Sequence, residues 1–242
     1  MLPKTNLNAA LLIALMSAIW FGCESASTKS QVHYRGALRT MMHEGDLRAT
    51  VALDTLQSQP QLYGLGAVEN LKGEVLIYDG AAIIATVEDS AIVIKRGFEH
   101  KAALLVYAQV KQWRECAVRE ELQDAHALAD FILRVAKDNG VNVSAPFAFL
   151  LKGKVASLDW HVIDWPQGDT LHTHAKHKAS GMHGRLEQQA VEILGFYSDQ
   201  HHGIFTHRDS NIHLHAKTVA GDLAAHVDEL KVNPTMRLYL PK

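Results

Sequence analysis

The sequence predicts an α+β protein, with an N-terminal α+β unit followed by a C-terminal β unit. Three observations carry that class. Short segments alternate apolar and polar residues between turn dipeptides, three stretches have helical spacing, and a polar segment rich in glycine and histidine, 165–185, separates two groups of strand-like runs. At 48% hydrophobic and 21% charged, the 242 residues exclude a disordered chain, a collagen-like rod and a disulfide-stapled miniprotein. With 24 basic against 26 acidic residues the formal charge is −2, so no basic field is available to collect nucleic acid. Histidine is the unusual residue. There are 15, and 11 of them fall between His161 and His226.

Residues 1–22 read as an export signal. Lys4 supplies a positive start, and Ala9–Gly22 is a 14-residue apolar run, short for a membrane span but right for a signal core. Cys23 follows directly, with Glu24–Thr28 small and polar after it. A cysteine there suggests a lipid anchor, with 23–30 as a linker, so an exported protein, periplasmic or anchored to a membrane, is expected. Trp20-Phe21-Gly22 departs from the usual small or aliphatic residues before such a cysteine, and a plain cleaved signal is the alternative. With Cys23 lipidated, Cys116 is the remaining thiol and no internal disulfide can form. It is placed at the start of a helix as an inert, partly buried thiol.

The mature chain is expected to comprise an N-terminal unit, 31–164, a histidine-rich loop, 165–185, and a C-terminal β unit, 186–242. Gly36–Met42 and Val51–Leu56 have the spacing of short helices. Leu62–Val68, Glu74–Tyr78, Ala81–Val87 and Ala91–Lys95 form a meander broken at Lys72-Gly73, Asp79-Gly80 and Asp89-Ser90, and Ala102–Gln109 adds a strand. Glu120–Val135 has apolar residues at helical intervals and closes at Asn139-Gly140. Ala145–Leu151 and Val155–Val162, around Lys152-Gly153-Lys154, suggest a hairpin. Ala190–Tyr197, Gly203–Thr206, Ile212–Lys217, Leu223–Val227 and Met236–Leu240 read as further strands.

The chemistry concentrates in one constellation. In Ile212-His213-Leu214-His215 the two imidazoles are two residues apart, so on a strand they share a face. His226 follows His215 by eleven residues, and Ala220-Gly221-Asp222 supplies the turn that returns it beside the pair. Three neutral imidazoles with a fourth position left open make a catalytic type of zinc site, and other divalent ions suit the same ligands. An HxH pair alone is more commonly surface or core histidine; the third residue at hairpin distance evens that balance.

Together these residues resemble the bacterial α-acetolactate decarboxylase family. His213, His215 and His226 match its HxHx10H pattern. Met41–Asp46 (MMHEGD), Gly64-Leu65-Gly66, Leu71-Lys72-Gly73-Glu74 and Asp79-Gly80 are similar to its N-terminal GD…GxG…LxGE…DG run, and Gly195-Phe196-Tyr197 to its GF segment. The resemblance implies a mixed β-sheet N-terminal domain joined to a β-barrel-like C-terminal domain, with the metal near their junction, and a homodimer. It also implies a small-molecule substrate, 2-acetolactate, converted to acetoin and carbon dioxide. A divalent cation would stabilise the charge left by the departing carboxylate, and a carboxylic acid would deliver a proton to carbon. Glu74 falls at the family's N-terminal catalytic glutamate and takes the acid/base role. His161 stands nearest the position where the family carries an arginine, and a histidine offers fewer donors and a pH-dependent charge there. The family's C-terminal glutamate has no counterpart; Glu229 is the nearest carboxylate and is a poor match.

Two further histidine groups lie outside the ligand trio, the first of them without a family counterpart. His172, His174, His177 and His183 read as a solvated basic segment, or else as a flap over the pocket or a weak metal site. His201, His202 and His207 read as surface residues ahead of the ligand hairpin, or else as partners orienting the ligands. Three functions are compatible with the sequence: an acetolactate decarboxylase, a divergent metalloenzyme acting on another small keto or hydroxy acid, and a non-catalytic metal-binding lipoprotein.

Overall fold

The structure is a computed structural model and describes residues 30–242. The expected export signal and Cys23 lie outside the described residues. Among the described residues no helix is long and apolar enough to cross a membrane.

The chain first forms β1 (Val32–Arg35), α1 (Leu38–Glu44) and β2 (Val51–Ala52), then β3 (Leu62–Val68), β4 (Glu74–Tyr78), β5 (Ala81–Glu88), β6 (Ala91–Arg96) and β7 (Lys101–Gln109). These strands make one seven-stranded sheet in the order β1-β7-β3-β4-β5-β6, with β2 also on β7. The rest is β8 (Trp113–Ala117), α2 (Ala125–Asp138), β9 (Phe147–Lys154), β10 (Ser157–Val162), α3 (His174–Ala179), β11 (Met182–Glu187), β12 (Ala190–Tyr197), β13 (Ile212–Thr218), β14 (Ala224–Lys231) and β15 (Arg237–Pro241). Its eight strands form a second sheet ordered β11-β10-β14-β13-β12-β9-β15-β8.

The α+β class stands, but both sheets are antiparallel in every strand pairing, so the first is not mixed. Tight turns between successive strands leave no room for the crossovers that parallel pairing needs. The second sheet ends in free edges at β11 and β8 and is not closed into a barrel. The sheets divide after Gln109, and strands on both sides of 165–185 share the second sheet.

Several elements depart from expectation. β9 and β10 are not a hairpin: β9 lies between β12 and β15, and β10 between β11 and β14. Both are apolar on their buried positions, and periodicity specifies a face without specifying a partner. The segment 165–185 contains α3 and most of β11. α3 is too short to show a period, and β11 is an edge strand with alternate residues exposed, which reads as polar loop. Val51–Leu56 is a two-residue strand followed by a 3-10 turn, Leu53–Leu56. The main helix starts at Ala125 rather than Glu120, because Asp124 caps it by accepting from Ala127 N at 2.8 Å. Cys116 therefore lies in β8, half-buried, with burial pushing its thiol pKa up. Gly203–Thr206 is a turn carrying a lone bridge between His202 and Thr206.

The two sheets face each other. Leu65, Leu76 and Val106 of the first meet Leu150, Leu194 and Phe196 of the second in one buried cluster. Leu53 and Leu56 cover the far side of the first sheet, and α2 covers the far side of the second through Leu128, Phe131 and Ile132. β3 and β7 approach closely at Gly66, where an added Cβ would lie 1.9 Å from the Leu104 carbonyl oxygen. Gly66→Ala is accordingly expected to cost about 3 kcal/mol, read as a lowered denaturant midpoint at unchanged slope. A midpoint equal to that of the native protein would refute the close approach.

Candidate functional site

The second sheet builds the site as a row. In β13, Ile212, Leu214 and Ala216 face the helix side, so His213 and His215 face the first sheet. His226 of β14 is paired directly with His215, and His161 of β10 directly with His226. Three neighbouring strands thus set four imidazoles side by side. His213, His215 and His226 are 4%, 1% and 8% exposed. One ring nitrogen from each lies within 4.8 Å of the others. His213 Nδ1 is 2.7 Å from the Phe205 carbonyl oxygen, which only accepts, so that nitrogen carries the hydrogen. Its Nε2 is left with a lone pair, 3.1 Å from His226 Nδ1.

The first sheet contributes Glu74. Gly73 takes a φ of 139°, open to glycine, and turns the chain into β4 so that Glu74 enters the space between the sheets. Its Oε1 accepts from Ile163 N at 3.2 Å and lies 3.8 Å from His161 Nε2; its Oε2 lies 3.6 Å from His215 Nε2. Burial lifts the Glu74 pKa to about 7, against the pull of His161. Burial lowers that of His161, but the hydrogen bond to Asp228 and the charges of Glu74 and Asp228 outweigh it and leave the value raised. Glu74, His161 and the trio all border one cavity of about 100 Å³. Every residue singled out for the site is therefore brought together, apart from Glu229. That residue is exposed, while its neighbour Asp228 lies with its carboxylate 3.0 Å from His161 Nδ1.

The other histidines divide. His207 borders the cavity with its ring 6.0 Å from that of His213 and 5.7 Å from that of His226. His201 bonds Ser198 and stacks on Phe205, and His202 bonds Asn211, so both hold their own loop. His177 borders the cavity and is 2.9 Å from His172, which stacks on Trp165 beside a larger cleft of about 750 Å³. His183 is exposed on β11, and His174 opens α3.

A family model described as alpha-acetolactate decarboxylase matches residues 34–240. The chain belongs to the alpha-acetolactate decarboxylase family. Three solved structures share the family fold at low identity. An alpha-acetolactate decarboxylase from Bacillus subtilis strain 168 is 12% identical with a TM-score of 0.67, over 87% of this chain and 84% of that one. An acetolactate decarboxylase from Bacillus subtilis subspecies spizizenii is 12% identical with a TM-score of 0.68, over 88% and 87%. A Staphylococcus aureus protein, described as of unknown function and similar to alpha-acetolactate decarboxylase, is 16% identical with a TM-score of 0.66, over 87% and 84%. No curated protein matches.

For this family member the donor set fits a divalent metal. Zinc–nitrogen bonds of roughly 2.0–2.1 Å in a tetrahedron put ligand nitrogens about 3.3 Å apart, close to the 3.1 Å between His213 and His226. Burial holds the rings in the neutral form that ligates: the His213 pKa is lowered to about 3, and those of His215 and His226 are lowered well below the usual value.

These shifts fix a pH dependence for the metal-free protein. A depressed imidazole means that the unfolded state binds more protons below about 6.5, so stability falls as pH falls through that value. Three rings act in this sense. Glu74, raised towards 7, opposes them below that pH, its contribution being lost only as pH rises. His161, also raised, opposes them more weakly, and the net fall is on the order of 2 kcal/mol per pH unit just below 6. Urea denaturation of chelator-treated protein between pH 5 and 7 measures it, and a flat profile would contradict neutral buried rings.

Proposed function

We propose that the protein is an exported, metal-dependent decarboxylase that converts 2-acetolactate to acetoin and carbon dioxide, with His213, His215 and His226 as metal ligands and Glu74 and His161 as catalytic residues. The observation that carries this reading is the placement of a buried carboxyl, Glu74, within 4 Å of both a metal-ligand imidazole and His161 at one small cavity.

A bound divalent cation supplies Lewis-acid stabilisation of the negative charge that develops as carbon dioxide leaves. The chain's own groups do the rest. The cavity, about 100 Å³ between two sheets, admits a small acid. Leu71, Leu104 and Ile163 give it an apolar wall against which a methyl-bearing substrate packs. Burial favours the protonated form of Glu74, which can deliver a proton at Oε2 while Ile163 N holds Oε1. His161 stands where the family's arginine would, and in its doubly protonated form, which Asp228 and Glu74 favour, its Nε2–H is a donor to the substrate's oxygen atoms. Export through the leader, lipid attachment at Cys23 and homodimer formation belong to the same proposal. So does zinc as the metal.

Assay of the purified protein with racemic acetolactate tests it. One equivalent of metal, with acetoin and carbon dioxide formed together, is the expected result. Full metal with turnover of a different 2-hydroxy-3-keto acid would support the second reading, which rests on the exchange of arginine for His161. Full metal and no turnover of any such acid would leave a metal-binding protein.

A further inference from the structure

Asp228 is a buried carboxylate of this site to which the family resemblance assigns no role. On β14, Glu229 is paired with Asp159 of β10 and Val227 with Trp160, so Asp228 is one residue extra, a β-bulge. A regular register would set Asp228 opposite Asp159, with two carboxylates face to face. The bulge removes it from that position, and bulges beside active sites re-aim side chains in this way. The Asp228 side chain is 2% exposed, and its Oδ1 lies 3.0 Å from His161 Nδ1. Its Oδ2 has Lys178 Nζ of α3 at 3.8 Å. Across the ring, His161 Nε2 is the nitrogen 3.8 Å from Glu74 Oε1. An imidazole packed against His226 with ring centroids 4.8 Å apart has two orientations related by a flip, and only one of them puts Nε2 towards the cavity.

We propose that Asp228 is a positioning residue: it accepts the Nδ1–H of His161 and so locks the ring with Nε2 turned to Glu74 and the substrate. An arginine carries its own donors on a rigid fork and needs no such partner, whereas a histidine at that place must have its orientation set by a neighbour. The bulge, Asp228 and His161 form one unit that performs the arginine's positioning task with different parts. The kinetic side of this inference rests on the decarboxylase reading; the structural side does not.

Ring nitrogen–proton correlation spectra of the native protein, Asp228→Asn and Asp228→Glu provide the test, together with metal analysis and acetoin kinetics. In the native protein His161 should be protonated at Nδ1. In Asp228→Asn that proton's resonance should be lost or moved while the signals of His213, His215 and His226 stay in place, which also shows that the fold is intact. Turnover should fall about 10–100-fold in kcat with little change in KM, and Asp228→Glu should recover the Nδ1–H signal and part of kcat. An unprotonated Nδ1 in the native protein overturns the proposal, as does an unaltered His161 signal in Asp228→Asn. His161, His226 and Asp228 also offer ligand atoms within 4.8 Å of one another. Two equivalents of zinc in the native protein, falling to one in Asp228→Asn, would make Asp228 a ligand of a second cation and overturn the positioning role. Native protein that makes no acetoin would end the decarboxylase reading while leaving the spectroscopic arm to decide the role of Asp228.

Discussion

Glu74→Gln is expected to lower kcat on acetolactate by about a thousandfold while metal content and fold are retained. Glutamine has the same shape and keeps an oxygen for Ile163 N, whose bond to Glu74 Oε1 is 3.2 Å. It cannot carry a transferable acidic proton. The carboxyl is 4% exposed and sits near pKa 7 because burial disfavours its charge, so replacing it with a neutral isostere removes chemistry without leaving a buried charge unpaired. Acetoin release under saturating substrate, alongside metal analysis, measures the effect. Activity within about threefold of native would eliminate Glu74 as the proton donor. Loss of the metal instead would mean that the carboxylate helps to hold the cation, a role its 3.6 Å approach to His215 allows.

Removing a ligand has the second largest effect. His215→Ala is expected to abolish both stoichiometric metal binding and turnover, since His215 is the most buried of the trio, at 1% exposure, and is flanked by His213 on its own strand and His226 on the next. A metal held at a thousand times its dissociation constant stabilises the folded state by about 4 kcal/mol. In a chain of this size that corresponds to about 10 °C of melting temperature. Native protein should therefore lose about that much on treatment with a chelator, and His215→Ala should start low and show no further response. Native protein indifferent to chelation, or a variant that binds a full equivalent, would dissolve the ligand assignment.

The part of this architecture that was legible in the sequence is the part governed by local rules. The meander from Leu62 to Arg96 has a period of two and tight turns at Lys72-Gly73, Asp79-Gly80 and Asp89-Ser90, and it folds as those signals say. His213 and His215 share a face because alternation dictates it, and the turn at Gly221 returns His226 to His215. Partner choice was not legible. Nothing in Phe147–Lys154 distinguishes pairing with β10 from pairing with β12 and β15, since each offers an apolar face. The edge strand β11 hid among polar residues for the same reason that it is an edge. Asp228 had a signal, its two-residue spacing from His226, which alternation places on the site's face. The family's glutamate has its nearest carboxylate counterpart in Glu229, one position along, and the bulge that re-aims Asp228 has no signature in one sequence.

The acid and the imidazole row belong to different layers: Glu74 to the first sheet, the histidines to the second. Among the described residues no ladder of main-chain bonds spans the gap between them; side chains such as Leu76 and Leu194, and one main-chain bond from Trp165 N to the Leu71 carbonyl, keep it constant. In the proposed decarboxylase, turnover would therefore be a ruler for the spacing of the layers, and a slip of about 1 Å, harmless to either ladder, can cost about a hundredfold in rate. On warming, catalysis should fade before any optical sign of melting. Trimming a methyl group from that apolar filling should register in the reaction rate although no polar atom has been touched.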